Sequence, residues 1–228
     1  MKPVAVYVDS VEANLHGGPE RLHDAGFDVR VAVATTPAGV GEVAAGATAL
    51  LVGDAPVDAT VLDAAPSVRI VSTVTAGTDH IDLGAARERG VWVCNVPDAS
   101  TEEVAVHALA MALALVRRLP AFDREVRAGG WFSEGRRLRR ASRLTLGIVG
   151  LGRIGAELGR LAGAGLDVFA EEPPPDGPLR RHEAVLLSPH VAYLSDEADR
   201  DLTAGQVENV VAWASGARPR SVVVEGRR

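Results

Sequence analysis

The chain has 228 residues, 47% hydrophobic and only 4% aromatic, with a formal net charge of −6. That length suits one large domain or two small ones, and the apolar share is enough for a packed core. The acidic balance gives no general attraction to nucleic acid or anionic lipid, the single cysteine excludes an internal disulfide, and no apolar run reaches the roughly 18 residues of a membrane helix.

No signal-peptide pattern precedes the first apolar run, "VAVYV", so the expectation is a cytoplasmic protein without a membrane or nucleic-acid partner. Short β-rich runs then follow at 4–9, 28–33, 47–53, 68–75 and 91–96. Helix-like stretches separate them, such as "GPERLHDAG" (18–26) and "HIDLGAARERG" (80–90), and several end in the glycine favoured just past a helix. Strands alternating with helices predict right-handed crossovers and a parallel sheet. The strands are nearly all apolar, so both sheet faces should be covered. Cys94, inside the last of these strands, reads as a small buried hydrophobe.

Ser100 and Glu103 have capping-box spacing and predict a helix start. Almost everything from Val104 to Val116 is apolar, which predicts a helix buried between domains or at a subunit interface. The basic stretch 127–143 reads as an exposed, solvated arm. "LTLGIVG" (144–150) reads as a strand, "EEPPPDGP" (171–178) as a turn, and 194–216 as one amphipathic helix.

Gly150, Gly152 and Gly155 form G-x-G-x-x-G, with Arg153 and Ile154 between the second and third glycines. The pattern follows an apolar strand and opens a helix, the context that dinucleotide binding requires. The first glycine permits a tight turn, the second a close backbone approach to a pyrophosphate, and the third close helix–strand packing. The helix N-terminus then faces the phosphates.

Three blocks carry a resemblance to a known family: 73–115, 146–155 and 164–198. Together they resemble the NAD-dependent D-isomer-specific 2-hydroxyacid dehydrogenases, over nearly the whole chain. The resemblance implies an α/β fold with parallel sheets, in which a flavodoxin-like substrate domain (1–98 and 191–228) is interrupted by a truncated Rossmann-type NAD-binding domain (99–190). It implies NAD as cofactor, a small 2-hydroxy or 2-keto acid as substrate, and a homodimer. No metal ligand is assigned. By the same resemblance, Gly77 and Thr78 hold the substrate carboxylate through backbone N–H groups, and Thr101 contacts the nicotinamide end of the cofactor. Asp167 positions the nicotinamide amide, His190 is the catalytic histidine, and Glu172 is its carboxylate partner. A histidine titrates near neutrality, and a nearby carboxylate favours its protonated form, as keto-acid reduction needs. His80 and His107 read as structural.

Family members carry further strand–helix units between positions 155 and 165, and at roughly 30 residues per unit three of them amount to roughly 90 residues. An arginine that orients the keto acid belongs there, and no "ARG"-type turn is present. The chain therefore reads as carrying an in-frame internal deletion. Glu171 and Glu172 fall roughly 20 residues after the first fingerprint glycine, where a ribose-binding acid is expected. Residues 144–172 are therefore expected to rebuild a shortened βαβ unit, with "LDVFA" paired beside "LTLGIV". In that unit Glu171 joins the cofactor site, and Glu172, assigned as the partner of His190, also comes within the span where it could approach a ribose instead. Two other readings stay open: a non-catalytic dimeric binding or scaffold protein, and a degenerate remnant of the family.

Overall fold

The computed structural model describes residues 2–9, 15–131, 138, 164–167, 169, 171–181 and 185–227. The chain divides into two compact units, one formed by Met1–Ala99 with Asp196–Arg228 and the other by Ser100–Ser195.

In the first unit, strands β1 (Val4–Val8), β2 (Asp28–Ala32), β3 (Ala49–Val52), β4 (Ile70–Thr73) and β5 (Trp92–Cys94) run parallel. They alternate with helices α1 (Gly18–Asp24), α2 (Pro37–Val43), α3 (Ala59–Ala64) and α4 (Leu83–Arg89). The order β2-β1-β3-β4-β5 is the flavodoxin-like doubly wound arrangement. Because side chains alternate across a strand, Val6, Val8, Leu50, Val52, Val71 and Val93 share one face with the buried residues of α2, α3 and α4. Ala5, Tyr7, Leu51, Ile70 and Trp92 share the other with Leu22 of α1. Each fully buried Val, Leu or Ile contributes about 1.5–3 kcal/mol.

Local chemistry sets the helix ends. Asp58 accepts from the Val61 N–H at 3.0 Å, and Asp82 from the Ala85 N–H at 2.8 Å, each capping a helix start. Helix α4 stops at Gly90, whose φ of 68° is left-handed.

Two features of this unit depart from expectation. The edge strand β2 is not covered on both faces: Asp28 and Arg30 are exposed, and charge on an edge discourages strand addition. "SVVVE" also supplies an unanticipated strand β8 (Val222–Val224), which pairs antiparallel with β5, Val93 opposite Val224. The last long helix, α8 (Asp196–Ala214), packs Val207 and Val210 on the α1 face. It buries polar groups as well. Gln206 Nε2 donates to the carbonyls of Val52 and Ser72, both at 2.9 Å, and Ser72 Oγ donates back to the Gln206 carbonyl at 2.9 Å. Gly205 allows this approach, since a Cβ there would stand 2.9 Å from Val96 Cγ1.

The second unit holds α5 (Thr101–Val116), α6 (Leu119–Arg127), β6 (Ala164–Leu166), the helical turn α7 (Pro178–Arg181) and β7 (Val185–Leu187). Strands β6 and β7 pair parallel, Gly165 opposite Leu186. Of the expected "LDVFA" strand, Leu166 lies in β6, and the next residue, Asp167, turns its side chain to the Val191 and Ala192 N–H groups after β7; Val168, Ala170 and the expected partner 144–150 lie outside the described residues. Helix α5 begins as expected, but the capping box does not form. Ser100 makes no side-chain cap bond, and Glu103 Oε1 instead accepts from Ser195 Oγ at 2.9 Å. Nor is α5 buried all round: Val106 is 59% exposed, and Leu109 and Leu113 each 42%. The expected strand 144–150 and the fingerprint residues Gly150, Gly152, Arg153, Ile154 and Gly155 lie outside the described residues.

Candidate functional site

After β4 the chain turns through Thr75–Thr78, and every carbonyl of that turn is occupied. Thr75 O accepts from the Val96 N–H at 3.1 Å, and Ala76 O from Asn95 Nδ2 at 2.7 Å. Gly77 O accepts from Thr75 Oγ1 at 2.8 Å, and Thr78 O from the Ile81 N–H at 3.0 Å. Among the described residues, nothing accepts from the N–H groups of Ala76, Gly77 or Thr78. Ala76 and Gly77 are exposed. A turn that spends its acceptors internally and leaves its donors free is suited to a carboxylate.

In the second unit, the residues after β6 and β7 build a compact polar cluster. His190 adopts a φ of 55°, unusual for a residue with a side chain, and its N–H donates to the Asp167 carbonyl at 2.9 Å. Its Nδ1 lies 2.8 Å from Glu172 Oε2. Glu172 Oε1 accepts from the Phe169 N–H at 2.8 Å. The Phe169 amide and the His190 ring hold the Glu172 carboxyl below its ordinary value, so it is ionised at neutral pH and can only accept. The shared hydrogen therefore sits on His190 Nδ1. The Nε2 side of the ring is left to take or give a proton, and the side chain is 58% exposed.

Asp167 anchors the same turn. Oδ1 accepts from Ser188 Oγ and from the Val191 N–H (3.0 Å), and Oδ2 accepts from the Ala192 N–H (2.9 Å). Burial opposes ionisation of Asp167. The Ser188 hydroxyl, the two amides and His107 outweigh it and bring the carboxyl below its usual value.

The structure thus joins His190, Glu172 and Asp167. Glu172 stands at His190, with the His190 ring on one carboxylate oxygen and the Phe169 amide on the other. Glu171 is exposed, and Thr101 is the first residue of α5; among the described residues neither side chain makes a hydrogen bond. Two members of the cluster were missed, Ser188 and the hydrogen-bonded role of His107. The only sequence signal was Ser188 lying two positions before His190.

A doubly wound sheet, a turn of free amides and a histidine held by a carboxylate define an α/β protein equipped to handle an anionic small molecule and a proton. The chain belongs to the D-isomer specific 2-hydroxyacid dehydrogenase family, whose catalytic domain it matches over residues 6–224. It is 28% identical over 264 residues to a glyoxylate reductase of Korarchaeum cryptofilum, covering 74% of this chain and 80% of that one. It is 42% identical over 126 residues to a glyoxylate/hydroxypyruvate reductase A of Arabidopsis thaliana, covering 55% of this chain and 37% of the relative. Among solved structures, the NADPH-dependent glyoxylate/hydroxypyruvate reductase of Sinorhizobium meliloti, in complex with NADP and malonate, superposes with a TM-score of 0.83. That pair is 24% identical, with 100% of this chain and 99% of the other covered. The D-lactate dehydrogenase of Aquifex aeolicus, complexed with NAD and lactic acid, gives 0.83 at 19% identity, covering 98% and 100%. These likenesses fix the fold.

Proposed function

We propose that the protein interconverts a 2-hydroxy acid and a 2-keto acid with NAD(H), and that its units serve as substrate and cofactor domains. The observation that carries this reading is the 2.8 Å contact between His190 Nδ1 and Glu172 Oε2. In the reducing direction His190 gives the proton on Nε2 to the keto oxygen, and Glu172 stabilises the charged ring and fixes its orientation. The free amides of Gly77 and Thr78 receive the substrate carboxylate. When bound, NADH would supply the hydride for C2 of the keto acid. Asp167 fits the cofactor's carboxamide, because Oδ2 accepts a single hydrogen bond from the protein and keeps acceptor capacity. Thr101 joins it at the nicotinamide end. Gly150, Gly152, Arg153, Ile154 and Gly155 hold the pyrophosphate, with Glu171 towards the ribose.

The chain acts as a homodimer through α5 and α6, whose Val106, Leu109, Leu113 and Leu119 are exposed apolar side chains on consecutive helices. We place it in the cytoplasm; among the described residues no single helix is long and apolar enough to cross a membrane.

A second reading, a non-catalytic dimeric binding protein or remnant, rests on the internal deletion expected from the sequence. The Korarchaeum alignment spans 264 residues, but 74% of 228 is about 169, so about 95 of the relative's residues have no counterpart. NADH consumption with a panel of 2-keto acids, run beside His190→Ala, separates the readings. Turnover that the substitution abolishes supports the enzyme, and a folded dimer without turnover supports the binding protein.

A further inference from the structure

We infer that His107 and Ser188 form a positioning pair that sets the Asp167 carboxylate and, through it, the turn carrying His190. Three elements meet here: α5 brings His107, the end of β7 brings Ser188, and the end of β6 brings Asp167. His107 Nε2 lies 3.0 Å from Ser188 Oγ, which in turn contacts Asp167 Oδ1, while His107 Nε2 and that same oxygen are 4.0 Å apart. The direction of the chain follows from a count of hydrogens. Ser188 has one hydroxyl hydrogen and two claimants, the Asp167 carboxylate and Met111 Sδ at 3.7 Å. A carboxylate is much the stronger acceptor, so it takes the hydrogen. Ser188 Oγ is then an acceptor towards His107, and the His107 hydrogen must sit on Nε2. The relay runs from His107 through Ser188 to Asp167.

Beyond Asp167 the same carboxylate accepts the N–H groups of Val191 and Ala192, the two residues after His190. The Asp167 carbonyl accepts the N–H of His190 itself. Three successive amides are therefore fixed to one residue, and they hold His190 at its positive φ. Ser188 shares Oδ1 with the Val191 N–H, and His107 backs Ser188, so the pair holds the carboxylate in the orientation that meets both amides. Neither touches the Glu172 pair, so their effect on the proton-transferring ring passes through Asp167.

The catalytic part of this inference rests on the proposed dehydrogenase function; the structural part does not. The test compares Ser188→Ala with Ser188→Thr, which keeps the hydroxyl, and His107→Phe with His107→Gln, which keeps a donor near Nε2. Amide exchange at Val191 and Ala192 is read together with kcat and KM for a 2-keto acid. Ser188→Ala and His107→Phe are expected to speed exchange at both amides about tenfold, the cost of one weakened hydrogen-bond set. Where turnover is measured, kcat falls about tenfold with KM unchanged, as a displaced proton donor requires. Ser188→Thr and His107→Gln restore both readouts, which a purely structural loss would not allow. Unchanged exchange in Ser188→Ala overturns the pair, whether or not the wild type turns over. Faster exchange with an unchanged kcat in an active enzyme overturns its catalytic part.

Discussion

Glu172 holds His190 with one carboxylate oxygen and the Phe169 amide with the other, so the acid is fixed at both ends before any substrate arrives. Its lowered pKa has a defined consequence. A carboxyl held below its ordinary value keeps its partner interactions above that value and loses them as pH falls through the lowered one. The carboxyl carbon resonance of Glu172 is expected to titrate below the ordinary glutamate range. In His190→Ala its midpoint rises but stays depressed, because the Phe169 N–H remains. A midpoint at or above the ordinary value in the wild type contradicts the pairing.

The free amides after β4 give a prediction that needs no substitution. On titration with a 2-keto acid, the amide resonances of Ala76, Gly77 and Thr78 are expected to move, and with the corresponding keto amide, which lacks the negative charge, they stay in place. Equal shifts with both compounds would show that the turn does not recognise the carboxylate.

Gln206 donates to two buried carbonyls of β3 and β4, and an apolar side chain there removes that donor from the Ser72 carbonyl and leaves the Val52 carbonyl with the Val74 N–H at 3.0 Å. Gln206→Leu is expected to cost about 1–3 kcal/mol, read as a lower urea midpoint with an unchanged slope.

Asp9 closes β1 by accepting the N–H groups of Gly53, Asp54 and Ala55 at 2.9, 2.8 and 2.5 Å. Asp9→Ala leaves all three without that acceptor and is expected to cost about 1–3 kcal/mol in the same unfolding assay. An unchanged midpoint would mean that water replaces the carboxylate at no cost.

The exposed stripe on α5 tests the oligomer. Leu109→Asp with Leu113→Asp is expected to convert a dimer to monomers by light scattering after size exclusion, since charge cannot be desolvated at an apolar contact. A dimer that survives both changes places its interface elsewhere.

The alternating strands and helices of the first unit were legible because each strand is a short apolar run between turn residues, and because Gly90 marks a helix end by local chemistry alone. What escaped was set by distance in sequence. Strand β8 is three valines with no period to read, and it becomes a strand by pairing with β5. Glu103 has the spacing of a cap but finds Ser195, a partner 92 positions away. His190 and Glu172 were identified by the motif around each, and the structure supplied their contact. His107, on an apolar helix, read as structural; only the arrival of Ser188 and Asp167 from two strand ends gives its ring a specific task.

The most direct measurement is NADH oxidation by the purified chain with a panel of 2-keto acids, wild type beside His190→Ala, with NADH binding followed by fluorescence on the same samples. The account expects saturable turnover in the wild type and its loss in the variant, with NADH binding retained by both. NADH binding without turnover in the wild type, or turnover that survives His190→Ala, would contradict the assignment of His190 as the proton donor.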